Sequence, residues 1–283
     1  MGRGYKLAFW LLAFAAPSFA QSPPTQEFHQ TLPQPPGKTI NVRNDYGNVH
    51  VIAWDRQDVQ VDAIKRAKPP AQLASAEVTV QNQSGPLCIA TKYPGAKPNL
   101  KNWLGFTTNL CTEWQNISAI DPAELPTTDY TLSIPRNAQL VVRVDTGDVD
   151  IEGTTGDIMV DIQSGHLTAR DIAGTCKLYG SYSGVNVTLN SLPRDTYIES
   201  SVGPLVINLS PAVSARVHAH GARGVKNDFG WQSRPREAQG SLGEGRVSLE
   251  VNSGGGHVDI HKLQPPPPAA EKKSRPIRHP KLH

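Results

Sequence analysis

The stretch Asp145 to Gly180 reads DTGDVDIEGTTGDIMVDIQSGHLTARDIAGTCKLYG and places glycines at Gly147, Gly156, Gly165 and Gly174, nine residues apart. Behind each glycine, apolar residues fall two and four positions on: Val149 and Ile151, Ile158 and Val160, Leu167 and Ala169, Cys176 and Leu178. That alternation is the period of a strand with one buried face. A short strand followed by a glycine-permitted turn cannot bury its apolar side alone, so units at this spacing must stack and share one interior. The expectation is an all-β fold, either a β-solenoid or stacked short-strand sheets with glycine turns about every nine residues. Two steps then make one coil of 18 residues.

The unit recurs outward from this stretch. Val185, Val187 and Leu189 continue it, but Gly184 arrives one residue late with Ser183 in the turn position, which predicts a local bulge. Gly203 leads Leu205, Ile207 and Leu209, while Gly47 with Val49 and Val51, and Gly256 with Val258 and Ile260, repeat it near both ends. Helical periodicity is confined to Pro69 to Ala76. Residues 66–128 break the register with prolines from Pro69 to Pro126, and are expected to form an irregular insertion. Within it, Glu77 to Gln81 and Leu87 to Tyr93 look like a hairpin ahead of a long loop. A second irregular stretch runs from Gly221 to Gly245.

The flanks differ in composition from this body. Residues 1–20 carry Arg3 and Lys6, an apolar run from Leu7 to Ala16, and Pro17-Ser18-Phe19-Ala20 before Gln21, the pattern of a cleavable signal peptide. That run is too short to span a bilayer comfortably, and no second long one follows, so no transmembrane segment is expected after its removal. No cysteine follows the cleavage site, which argues against a lipid anchor. Residues 21–38 are expected to be a proline-rich linker, 39–263 the β-repeat domain, and 264–283 a tail in which Pro265 to Pro268 favour an extended spacer.

Hydrophobic residues make up 38% of the chain and aromatics only 6%, so the core must be mainly aliphatic. The formal charge is +3, yet Arg3 and Lys6 supply two positive charges and the tail a net four, which leaves residues 21–263 at −3. An acidic body on an exported chain disfavours nucleic-acid binding. Export also places the three cysteines in an oxidising compartment. Cys88 and Cys111 are the expected disulfide, since both lie in the irregular region, whereas Cys176 holds an inward repeat position and reads as a buried thiol.

The units Asn44-Asp45-Tyr46-Gly47-Asn48-Val49-His50-Val51, Asp145-Thr146-Gly147-Asp148-Val149-Asp150-Ile151 and Ser253-Gly254-Gly255-Gly256-His257-Val258-Asp259-Ile260 resemble the strand repeats of the bacterial "putative adhesin" family, a family of unknown function. The segment Gly243 to Val251 is similar to its glycine-led penultimate strand, and the resemblance covers roughly Thr39 to Leu263. It implies an exported, repetitive β protein with an adhesive or scaffolding role, no catalysis and no catalytic residues. The insertion and the basic tail depart from the common pattern.

Candidate chemistry is sparse. Asp145, Asp148, Asp150, Asp157 and Asp161 are close in sequence and could form a calcium site or acid–base pair, but the order around Gly254 to Asp259 is not that of calcium-binding nonapeptides, and solvated turns and outward faces account for them. His218 with His220, and His257 with His261, share strand faces without a familiar metal-ligand spacing. No nucleophile elbow or phosphate-binding loop is present. Neither a cofactor nor a metal is therefore expected. Trp103, Phe106 and Trp114, with Lys101 and Asn102, could form a platform for sugar rings or a small satellite core around the disulfide. Lys272, Lys273, Arg275, Arg278 and Lys281 could contact an anionic envelope surface or merely solubilise the tail.

Three functions fit. The leading one is an exported envelope protein, periplasmic or on the cell surface, that binds or scaffolds an envelope polysaccharide or protein without catalysis. The alternatives are a polysaccharide-active β-helical enzyme, which needs Asp148, Asp150 and Arg170 to converge, and a periplasmic sensory or protein-interaction partner.

Overall fold

The computed structural model describes residues 23–34, 37–82, 85–94, 97–98, 115–116 and 125–263. Among these, nineteen strands join in one open β-sheet, and a separate pair links Lys97–Pro98 to Gln115–Asn116. The connectivity follows from two long strands, Ile158–Ile172 and Cys176–Leu189, each of which belongs to two ladders at once.

In the first ladder the partners are parallel and 18 residues apart: Leu140 lies beside Ile158, and Ile158 beside Cys176. Ile40 of strand Thr39–Tyr46 and Leu87 of strand Leu87–Lys92 extend it on one side. Strands Thr196–Ser200, Val247–Ser253 and Ala215–Gly221 extend it on the other. A second ladder runs beyond the turn, with Tyr130, Val49, Val149, Leu167, Val185, Leu205 and Val258 in register. Alternate residues of both ladders face one continuous interior. Val149, Ile158, Leu167 and Val187 are each at most 2% exposed. Full burial of such side chains contributes roughly 1.5–3 kcal/mol each relative to exposure.

Glycine sets how closely the turns approach. A Cβ on Gly165 would lie 2.0 Å from the carbonyl oxygen of Gly147, and one on Gly147 would lie 2.1 Å from that of Gly47, with φ at +134° and +147° respectively. Gly203 stands in the same way over Ser183, and Gly256 over Gly203. The glycines nine residues away form a different column, in which Gly174 faces Gly156 and Gly156 faces Ala138. Two serines pin the first column from within. Ser200 Oγ donates to Ser183 O and accepts the Gly203 N–H, each at 2.8 Å, and Ser253 does the same for Gly203 O and Gly256.

The bulge predicted at Gly184 lies elsewhere. Ser183 pairs with Gly165 and Gly184 with His166 in unbroken register, and the shift falls between Ala169 and Ile172, where Asp171 takes a positive φ of 55°. Ser183 keeps its place in the column because the absence of a Cβ on Gly203 leaves room for the Ser183 carbonyl oxygen, which also accepts from Ser200 Oγ.

Both extremities include antiparallel pairing, although at the far one the second ladder ends in the parallel strand Val225–Asn227. The expected hairpin is present as Glu77–Asn82 with Leu87–Lys92, and its inner arm joins the first ladder. The stretch 21–38, expected to be a linker, contains the strand Thr25–Pro33, paired with Asp58–Arg66, because prolines bound that segment without interrupting it. The short helical signal at Pro69 to Ala76 is a 3-10 turn, Pro70–Ser75, held by Lys65 Nζ donating to Leu73 O and Ala76 O. At the far extremity Glu237–Leu242 pairs antiparallel with Ala215–Gly221, and Phe229 stacks on Trp231 at 4.6 Å against the core.

Replacing Gly165 with alanine combines a positive-φ penalty with overpacking against backbone, and should cost on the order of 3 kcal/mol in urea unfolding. Gly184→Ala, whose Cβ would meet nothing nearer than 3.7 Å, should unfold close to wild type. Equal effects of the two would remove the turn column as a constraint.

Candidate functional site

Residues between the inward positions of the first ladder point out of the sheet, and parallel pairing sets them in rows. One row runs Arg43, Arg143, Asp161, Tyr179 and Glu199. The next position along the first two strands adds Asp45 and Asp145. These side chains are outside the aliphatic core, yet Asp45 is 1% exposed, Asp161 7% and Arg143 9%.

Neighbouring strands are about 4.8 Å apart, so the row places two guanidinium-bearing residues side by side and requires carboxylates around them. Arg43 donates to Asp45 Oδ1 from Nε at 2.9 Å and from Nη2 at 2.7 Å. Arg143 Nη2 lies 3.3 Å from Asp161 Oδ2. Three carboxylates against two guanidiniums leave one excess negative charge, and burial resolves it electrostatically. Desolvation raises the Asp45 carboxyl to about 6 in spite of Arg43, with Asp145 raising it further. Burial also raises Asp145 and Asp161, and lowers Arg143. This group was missed at the sequence level, although the pattern Val-Arg-x-Asp-x-Gly occurs at both Val42 to Gly47 and Val142 to Gly147.

Beyond it, the rings of Tyr179 and Tyr197 meet at 5.7 Å, and Tyr197 donates its hydroxyl to Glu199 Oε2 at 2.6 Å. Desolvation, the Glu199 bond and its charge push the Tyr197 hydroxyl up to about 12. The surface therefore offers aromatic faces beside fixed charges, a combination suited to holding a polar ligand with apolar faces.

The five aspartates singled out in the sequence separate into two kinds. Asp145, half-buried, and Asp161, buried, belong to the group around the arginines, contrary to the expectation of solvated positions, because the row of arginines recruits them. Asp148 is 62% exposed at its side chain and acts along the turn: the Asn48 N–H donates to Asp129 Oδ1, the Asp148 N–H to Asn48 Oδ1, and the His166 N–H to Asp148 Oδ1, each at 2.9 Å. Arg170 Nη2 donates to Asp150 Oδ2 at 2.8 Å and lies 3.7 Å from Glu152, while Asp157 pairs with Arg194. Asp150 and Arg170 thus meet, whereas Asp148 is committed to the turn. His218 faces Glu250 at 3.1 Å, His257 faces Asp259 at 3.4 Å, and His261 faces Asp228 at 3.1 Å, each with its own carboxylate. Among the described residues no group of three or more His, Cys, Asp or Glu side chains could hold a metal ion.

Cys176 is free and fully buried, and burial pushes its thiol up to about 12, which suits an inert interior residue. Cys111, Trp103, Phe106 and Trp114 lie outside the described residues, as do Lys272, Lys273, Arg275, Arg278 and Lys281. No described helix is long and apolar enough to cross a membrane.

No family model matches the chain, and no curated protein does. Solved structures that resemble it include a "putative cell adhesion protein" from Clostridium sporogenes, with 14% identity, covering 85% of this chain and 100% of that one, at a TM-score of 0.45. A "putative adhesin" from Bacteroides fragilis has 11% identity, covers 85% and 99%, and gives 0.30. A "putative lipid binding protein" from Parabacteroides distasonis has 10% identity, covers 84% and 97%, and gives 0.28. The second carries the same description as the family that the strand repeats resemble.

Asp45 supplies a pH test. Its folded-state value is raised above the unfolded one, so the stability it allows is complete below about pH 4 and is lost as pH rises through about 6. Wild type should lose up to roughly 3 kcal/mol across that window from this group. Asp45→Asn should reduce the fall, leaving the part due to Asp145 and Asp161, and melt higher than wild type at pH 7.5; a wild-type profile without a fall between pH 4 and 6 would refute the assignment.

Proposed function

We propose that this chain is an exported β-solenoid that binds or scaffolds components of the cell envelope through the outward faces of its stacked strands, without chemistry of its own. The observation that carries this reading is the set of outward side chains held in rows by parallel backbone pairing. Tyr179 and Tyr197 stand in or beside the row of Arg143, Asp161 and Glu199, so an extended ligand laid across the strands meets a preformed surface. The 18-residue register supports the solenoid, and the leader supports export to the periplasm or cell surface.

In this reading, residues 66–128 are the variable recognition element, restrained by a Cys88–Cys111 disulfide and carrying Trp103, Phe106 and Trp114. The tail from Gln264 adds a charge-based contact with anionic surfaces through Lys272, Lys273, Arg275, Arg278 and Lys281. Of Asp148, Asp150 and Arg170, on whose convergence a polysaccharide-cleaving site would depend, Asp150 and Arg170 meet, whereas Asp148 serves the turn as a backbone acceptor.

Incubation of the mature chain with a glycan array and with envelope extract should give retention of a polymer or protein with no released oligosaccharide; release of oligosaccharide would support the enzyme reading. Removal of residues 264–283 should weaken envelope association and leave the thermal transition in place, since the last described strand ends at Lys262. Loss of that transition would refute the separation of roles. Peptide mass mapping of the non-reduced protein should join Cys88 to Cys111, and a bond to Cys176 would contradict both the pairing and the buried thiol.

A further inference from the structure

The strand Thr25–Pro33 ends the second ladder at the extremity opposite Glu237–Leu242. It pairs with Asp58–Arg66 through nine consecutive residues without a bulge, and among the described residues it has no other ladder partner. Its outer edge therefore presents backbone N–H and C=O groups with no strand to meet. Native edges of this length are commonly blunted by a lysine, an internal proline or a bulge. Here no lysine occurs, the one proline is the terminal Pro33, and every residue from Thr25 to Thr31 except Phe28 is exposed. The edge also stands forward. Outward from Thr39–Tyr46 and Val49–Trp54, the first ladder adds Leu87–Lys92 and Glu77–Asn82. The second adds Thr127–Pro135, Asp58–Arg66 and then Thr25–Pro33, which projects beyond Glu77–Asn82 by one strand spacing, about 4.8 Å.

The residues along this edge specify what fits it. Thr25-Gln26-Glu27-Phe28-His29-Gln30-Thr31 reads almost the same in both directions. A second copy of the strand, turned about a two-fold axis at Phe28, runs antiparallel to the first and sets Thr25 opposite Thr31, Gln26 opposite Gln30 and Glu27 opposite His29, each pair occurring twice. Residues directly opposed across an antiparallel pair share a face and touch. Phe28 is half-buried against the core, so its ring would meet that of the copy where the apolar interior ends. Glu27 and His29 lie on the other face. Within its own chain His29 faces Asp62, whereas Glu27 lies opposite Ile64, which offers it no charge.

We propose that the edge of Thr25–Pro33 pairs with the same edge of a second copy of this chain, giving a two-fold dimer in which the second ladders of both copies form one sheet. An isologous contact requires a surface that complements itself. This segment does so in charge, through two Glu27–His29 contacts, and in side-chain size, through its matched threonines, glutamines and phenylalanines. The assembly closes at two copies, because each has then used this edge. A strand of unrelated sequence would gain the backbone bonds without the matched side chains. The dimer is independent of what the outward faces of the strands bind.

The test is sedimentation velocity of the mature chain across a dilution series, which should show a reversible monomer–dimer equilibrium. Glu27→Lys sets a cation against His29 of the copy, and His29→Glu sets a carboxylate against its Glu27. Each should weaken the dimer about tenfold or more, since two like-charge contacts replace two complementary ones. Both side chains are exposed, so the circular dichroism spectrum of each variant should match wild type. Mixed in equal amounts, the two variants should dimerise with each other: the introduced lysine meets the introduced glutamate, and the native His29 of one meets the native Glu27 of the other. A wild-type chain that stays monomeric, or a dimer that neither variant weakens, would overturn the proposal. Weakening in both variants without recovery in the mixture would overturn the pairing about Phe28. A monomeric wild type that retains an envelope protein, with retention lost in Glu27→Lys, would assign the edge to a foreign strand and overturn self-association.

Discussion

The fold depends on how near one backbone turn can come to the next. At Gly47, Gly147 and Gly165 the space that a side chain would fill is taken by a carbonyl oxygen of the neighbouring turn. Hydrogen bonds continue through this point, with the Gly47 N–H donating to Thr146 O and the Gly147 N–H to Ser164 O, both at 3.0 Å. Because the ladder is not interrupted at the corner, both strand faces on either side keep the same register, and Val149, Leu167 and Val185 stack as directly as Leu140, Ile158 and Cys176 do. The aliphatic interior is a consequence of that continuity.

What could be read from the sequence was the part of the fold that repeats locally. The inward positions, the buried Cys176, the hairpin near Glu77 and the short turn at Pro70 all follow from spacing within a few residues. Less accessible was anything set by partners far apart in the chain. Nine-residue glycines look equivalent in a string, but alternate ones enter separate columns, because a strand and its return occupy different ladders. The bulge was placed at Gly184 from a count of residues, yet the extra residue is accommodated at Asp171, where side chains are exposed and the backbone is free to bend.

The candidate site shows the same limit. Arg43 and Arg143 are separated by a hundred residues and are brought together only when strands Thr39–Tyr46 and Gln139–Thr146 pair. Once adjacent, they explain why Asp161 is buried and Asp145 half-buried with its carboxyl pushed up, whereas Asp148 stays exposed, although all three alternate with apolar residues in similar ways. Tyr179 and Tyr197 likewise meet only through the pairing of Cys176–Leu189 with Thr196–Ser200. In the sequence, the aromatic residues that stood out were those of the insertion.

The antiparallel strands at the two extremities have a meaning for the size of the molecule. They differ from the interior rungs, which are interchangeable in register, in that each finishes the sheet on its own side. Excision or duplication of an 18-residue unit such as Asp157 to Gly174 would bring like against like, Leu140 against Cys176 and Val149 against Val185, while the finishing strands stayed as they are.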